Sequence, residues 1–194
     1  FMIQRMALLL PLALLALPAT ASAECEDYAA NPKKLRSLEE SASVGGLADE
    51  DKACLESNYS KADQQTTKDK ISRVLLVNAY AYDTREWARL VQRHLDEVDR
   101  SDPNIAYLYA FHLYTRDDPD LEAVIKWVDV ALERRSEWKG DVYVARTYQL
   151  LRTKTLAGAQ AWRNAAEAGQ PSEKVEELRN RAKTFAREWL DSTR

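Results

Sequence analysis

Turn-forming residues are scarce in this chain: five glycines and six prolines among 194 residues. That scarcity excludes collagen-like, Pro/Gly-rich low-complexity and many-turned β architectures. No apolar–polar alternation runs long enough to argue for a sheet. Only two histidines occur, His94 and His112. A His-Glu-x-x-His pair, a Gly-rich phosphate loop and a Ser nucleophile elbow are all missing. These absences speak against motif-bearing hydrolases and nucleotide-binding enzymes. The acidic pairs Glu39-Glu40 and Glu176-Glu177 lack the apolar surroundings that general acid catalysis needs. The formal net charge is only −3, with no basic stripe, so nucleic acid is not an expected partner. Without a His/Cys cluster, neither a metal nor a cofactor is expected. The apolar run Met6 to Leu17 is too short to span a bilayer comfortably.

That run is instead the centre of an expected export leader. Arg5 precedes it and the small residues Ala21-Ser22-Ala23 follow, the layout of a signal peptide cleaved after Ala23. Residues 1–23 are therefore set apart from the fold. Cys25 stands one position too late for lipid attachment, behind Glu24. A periplasmic or secreted protein without stable membrane insertion is expected. In a eukaryotic secreted chain, Asn58-Tyr59-Ser60 would be a glycosylation acceptor. The two cysteines, Cys25 and Cys54, predict a disulfide in an oxidising compartment. Closing that loop stabilises the fold by about 3 kcal/mol in the chain-entropy account.

The rest is rich in Ala, Leu, Glu, Arg and Lys and reads as helical almost throughout. Residues 24–65 form an N-terminal piece of two short helices broken at Gly45-Gly46, a cap over the first hairpin. Asp83 to Glu86 has the form of a capping box, and Asp102-Pro103 and Asp118-Pro119 have that of helix starts. Residues 66–170 are expected to hold three hairpins, the third over 141–168 between Gly140 and Gly169. Residues 171–194 are expected to be a capping helix with one charged, solvated face. Trp87, Trp127 and Trp162 each have apolar residues three and four positions on, the spacing of core positions. Trp138, near a turn, is the expected exposed aromatic contact.

Tyr80, Tyr114 and Tyr148 recur at one fixed spacing, in the tripeptides Asn78-Ala79-Tyr80, His112-Leu113-Tyr114 and Arg146-Thr147-Tyr148. A period of about 34 residues belongs to stacked helical hairpins. The second unit supplies Tyr107, Ala110, Phe111, Tyr114, Ala123, Trp127 and Val130, and in this it resembles the tetratricopeptide repeat family. The third supplies Val144, Ala145, Tyr148, Ala157 and Ala161, and the first Leu76, Val77 and Tyr80. Arg73, Phe111 and Asp141 depart from the family pattern, and a Sel1-like array would fit nearly as well.

The resemblance implies an all-α, right-handed α-α superhelix of about three hairpins with capping helices. It implies a groove lined by Asn78, His112 and Arg146, by Ala81, Thr115 and Gln149, and by Val74, Leu108 and Val142. A polar column beside an apolar one suits an extended peptide or a partner's helix. The expected function is an exported scaffold holding a segment of another envelope protein. The alternatives are a structural subunit using its convex face or end caps and, more remotely, a cell-wall or peptide hydrolase or an enzyme inhibitor.

Overall fold

The computed structural model describes residues 25–138 and 143–192, with the side chains of Ala81, Tyr143, Val144 and Ala145 left aside. The expected leader, Lys139 to Val142 and the last two residues lie outside the described residues. Among the described residues the fold is all-helical, with eight α-helices and no strand. They are α1 (Pro32–Val44), α2 (Asp49–Lys61), α3 (Gln65–Tyr82), α4 (Thr84–Glu97), α5 (Pro103–Tyr114), α6 (Leu121–Glu133), α7 (Tyr143–Glu167) and α8 (Ser172–Asp191). A single 3₁₀ turn, Arg135–Glu137, follows α6.

Local chemistry sets most of the boundaries. Asn31 caps α1 by accepting from the Lys34 amide at 3.1 Å, with Pro32 at the first helical position. The chain then leaves α1 through Gly46 at φ 82°, where an added Cβ would meet the Tyr82 ring at 3.3 Å. Both demands select glycine there. Asp102 caps α5 ahead of Pro103, accepting from the Asn104 and Ile105 amides. Gly169, at φ 65°, ends α7.

Three expectations need correction. Asp83 accepts from the Arg85 and Glu86 amides, but Glu86 pairs with Arg89 and the Asp83 amide donates to Ala79 O. The return half of the capping box is thus pre-empted at both ends. The start of α6 is capped by Asp120, which accepts from the Ala123 amide, not by Asp118. The third hairpin expected over 141–168 is one uninterrupted helix, α7. Its only glycine, Gly158, sits mid-helix where an added Cβ would lie 2.9 Å from Phe185 of α8. A lone glycine costs a helix about 1 kcal/mol and does not break it; this one lets α8 approach closely. The helix opening at Ser172 is therefore the pairing partner of α7, not simply a cap.

The helices pack as pairs α3–α4, α5–α6 and α7–α8, with α6 against α7 and both α1 and α2 against α3. One apolar cluster runs from Tyr28, Leu35 and Leu38 through Ile71, Val74, Trp87, Leu90 and Val91 to Ile105. A second runs from Ala106 and Ala110 through Val124, Val128 and Leu150 to Phe185. Tyr109 and Trp127 pack against both and join them. Trp87 is buried, while Trp127 and Trp162 are half-buried.

Candidate functional site

The expected groove residues separate into three groups. Asn78 and Val74 are interior. Asn78 is 8 % exposed and its Oδ1 accepts from the Leu47 amide at 2.8 Å. Its side chain is spent on the chain leaving α1, so it does not line an open groove. The N-terminal piece has taken the surface that the first unit would otherwise offer. Val142 and the side chain of Ala81 are outside the described residues. The remaining five, Leu108, His112, Thr115, Arg146 and Gln149, border the outer side of α5.

That side carries two adjoining depressions. One, of about 350 Å³, is lined by Tyr80, Tyr107, Leu108, Phe111, His112 and Thr115. The other, of about 310 Å³, is lined by Tyr107, Phe111, Gln149, Arg152 and Thr153. Tyr107 and Phe111 border both and meet edge to face at 5.1 Å. The reason lies in α5 itself, which is apolar on nearly every side. Its Ala106, Ala110 and Leu113 face the core, and its large aromatics cannot all follow them inward. The face is well braced. The Tyr107 hydroxyl donates to Gln149 Oε1 at 2.6 Å, and the Arg146 guanidinium lies 4.8 Å above the Tyr107 ring. Arg146 Nη1 donates to Asn104 Oδ1 at 2.9 Å. His112 sits 5.0 Å from Trp87 in a T-shaped contact and stacks on Tyr109. Burial, then the charge of Arg116, holds the His112 imidazole below its ordinary value. Burial pushes the Tyr107 phenol up, against the pull of Arg146.

A second constellation is entirely internal. His94 of α4 is fully buried, with Nδ1 3.0 Å from Ser72 Oγ and Nε2 3.3 Å from Asp102 Oδ2. Arg73 donates to the same Asp102 oxygen and pairs with Asp69 at 2.9 Å. Ser72, His94 and Asp102 thus have the residue types of a hydrolytic triad. The order differs, because the serine meets Nδ1 and the carboxylate Nε2. More decisively, Ser72 is fully buried, so no substrate carbonyl can reach its oxygen. Asp69, His94 and Asp102 also bring donor atoms within 4.8 Å of one another. Arg73 already supplies the positive charge between the two carboxylates, so the cluster is an ion-paired tie joining α3, α4 and α5. Burial alone would raise the Asp102 carboxyl; the His94 hydrogen bond, the Ile105 amide and Arg73 outweigh it and hold it well below the usual carboxylate range.

Sequence reasoning missed Tyr80, Tyr107, Phe111, Arg152 and Thr153 as lining residues, although Tyr80, Tyr107 and Phe111 are visible in the repeat pattern. It missed the Ser72–His94–Asp102 tie, for which no local signal exists. It also placed Trp138 on the surface. Trp138 is 8 % exposed and belongs to the second apolar cluster, because the chain after α6 folds back over α7. Asn58 is engaged as well: its Nδ2 donates to Glu26 O and Cys54 O, and its Oδ1 accepts from the Tyr28 amide. A glycan there would remove one of those donors. Among the described residues, no helix is long and apolar enough to cross a membrane. The chain matches no protein-family model, no curated protein and no solved structure.

Proposed function

We propose that this chain is an exported scaffold of stacked helical hairpins, arranged in the tetratricopeptide manner, that binds a segment of another cell-envelope protein. The segment lies on the outer side of α5. One observation carries the reading: Tyr107, Phe111 and His112 stay half-exposed between Tyr80 and Gln149, on a helix whose other side is fixed in the core. Large, rigid, braced aromatics on such a surface are the usual anchors of protein recognition. Export is supported by the leader-like start of the sequence and by the Cys25–Cys54 disulfide. Catalysis has no support in the buried Ser72–His94–Asp102 tie, which no substrate reaches.

A second reading places the interface at the N-terminal cap, where Val44 is 85 % exposed and Tyr82, at the end of α3 beside Gly46, is 56 % exposed. Affinity capture from a cell-envelope extract separates the two, using wild type, Phe111→Glu and Tyr82→Glu with helicity checked by circular dichroism. A partner held by wild type and Tyr82→Glu but lost by Phe111→Glu is the expected result. Loss with Tyr82→Glu alone would move the interface to the cap. Retention by both variants would overturn both readings.

A further inference from the structure

Five described arginines are half-buried, and four of them have a carboxylate partner. Arg73 pairs with Asp69 and Asp102, Arg93 with Glu56, Arg134 with Asp99, and Arg181 with Glu122. The fifth, Arg146, has only the neutral Asn104 amide oxygen and the faces of Tyr107 and Trp138 among the described residues. Further along α7, the exposed Arg152 borders the depression beside Tyr107 and Phe111. Among the described residues, no acidic residue lines either depression of this face, although acidic residues outnumber basic ones in the chain, 31 to 28. Among the described residues, two guanidinium groups therefore flank an aromatic seat without a counter-charge, one of them already partly withdrawn from water. A carboxylate is the ligand group that a guanidinium fork fits, and it is worth most where the fork is already held in place.

We propose that the partner segment on this face is an acidic, extended peptide. An apolar side chain of that peptide seats on Tyr107 and Phe111, and a carboxylate two residues away is forked by Arg152, with Arg146 adding its charge. In an extended chain, side chains two apart point the same way, so seat and carboxylate can be met together. Gln149 accepts from Tyr107 through Oε1, which leaves its NH₂ group to donate to a backbone carbonyl of the peptide. The proposal rests on the docking reading and specifies the chemistry of what docks.

The test is titration calorimetry of the purified, disulfide-bonded protein with an end-blocked peptide of three Glu-Ser-Phe-Ser repeats, against the same peptide with Gln for every Glu. The acidic peptide is expected to bind about tenfold more tightly, the scale of a charge-assisted hydrogen bond. Arg152→Gln should lose a similar factor, Arg152→Lys should recover part of it, and added salt should weaken binding. Arg152 is exposed, so its variants should melt as the wild type does. Equal affinity for the two peptides, or an unchanged Arg152→Gln, would overturn the acidic assignment. So would failure of either peptide to bind a protein that still captures its envelope partner through Phe111. Capture that ignores Phe111→Glu would instead remove the docking reading beneath it.

Discussion

Asp102 carries two duties on one carboxylate, and its pH dependence derives from them. Oδ1 caps α5 by accepting the Asn104 and Ile105 amides, while Oδ2 faces Arg73 and His94. At 2 % exposure it is anionic only because these partners replace water. Asp102→Asn can keep the cap but not the charge. It leaves Arg73 with Asp69 alone and His94 with a weaker partner. Breaking a buried ion pair from one side costs about 3–5 kcal/mol; because Arg73 is partly solvated and keeps Asp69, the lower end is expected. The folded carboxyl lies well below its unfolded value. Its contribution is therefore complete above about pH 4, the unfolded carboxylate range, and is lost as pH falls further toward the folded value. Urea melts of wild type and Asp102→Asn should differ by about 3 kcal/mol at pH 7 and converge in acid. A gap that stays constant to pH 2 would show that the charge is not what Asp102 contributes. Only part of this residue's role is legible in the sequence. The Asp-Pro pair identifies a helix cap, because capping is local. The tie to Arg73 and His94 joins residues 29 and 8 positions away with no periodicity to mark it.

At the scale of an element, Gly158 sets two effects against each other. Replacing a mid-helix glycine by alanine gains about 1 kcal/mol of helix propensity. At this position the new methyl would lie 2.9 Å from the Phe185 ring, with Ala182 Cα at 3.6 Å behind it. Phe185 is 8 % exposed and has Lys154 Nζ 4.4 Å above its face, so the ring has little room to move. Overpacking of this kind costs about 1–3 kcal/mol, and the clash is expected to win. Gly158→Ala should lower the thermal midpoint, whereas an exposed helix glycine replaced by alanine should raise it. A raised midpoint would mean that α8 stands further from α7 than these distances require. The same residue explains why no hairpin turn forms there. Repeat spacing alone predicts a break in 141–168, but Leu156-Ala157-Gly158-Ala159 contains no proline, no turn dipeptide and no capping side chain. The helix simply continues. Caps at Asp102 and Gly169 are readable because each acts on its own neighbours. The choice between Asp118 and Asp120 is not, since either carboxylate can cap a helix that starts beside it.

The molecule as a whole is two apolar clusters with an N-terminal piece closing one end, and the two helices of that piece are held very differently. Leu35, Leu38 and Ala42 of α1, and Leu47 after it, enter the first cluster. In α2 only Leu55 and Tyr59 are buried. The helix is secured from outside by Arg93, which pairs with Glu56 and covers the Tyr59 ring at 4.2 Å, and by the Tyr59 hydroxyl donating to Glu97. Burial and then the Glu97 hydrogen bond push the Tyr59 phenol up to about 12, so it stays a donor at every physiological pH. The disulfide Cys25–Cys54 spans 29 positions and encloses α1, Leu47 and the start of α2. A crosslink of this span restricts the unfolded chain by about 3 kcal/mol. It also keeps Tyr28, 3 % exposed, seated beside Asn58. Reduction, or paired Cys25→Ser and Cys54→Ser substitutions, should therefore lower global stability by about 3 kcal/mol. Amide exchange should rise most in residues 25–61 and least in α5 to α8, whose contacts do not pass through the crosslink. From the α3–α4 pair the α5 aromatic face takes Tyr80 as lining and Trp87 behind His112; neither lies in the crosslinked piece, so partner capture should survive reduction while the fold remains above its unfolding threshold. Exchange that rises uniformly along the chain would mean that the cap and the second cluster unfold as one unit. In that case the disulfide would govern the binding face as directly as it governs the end it ties.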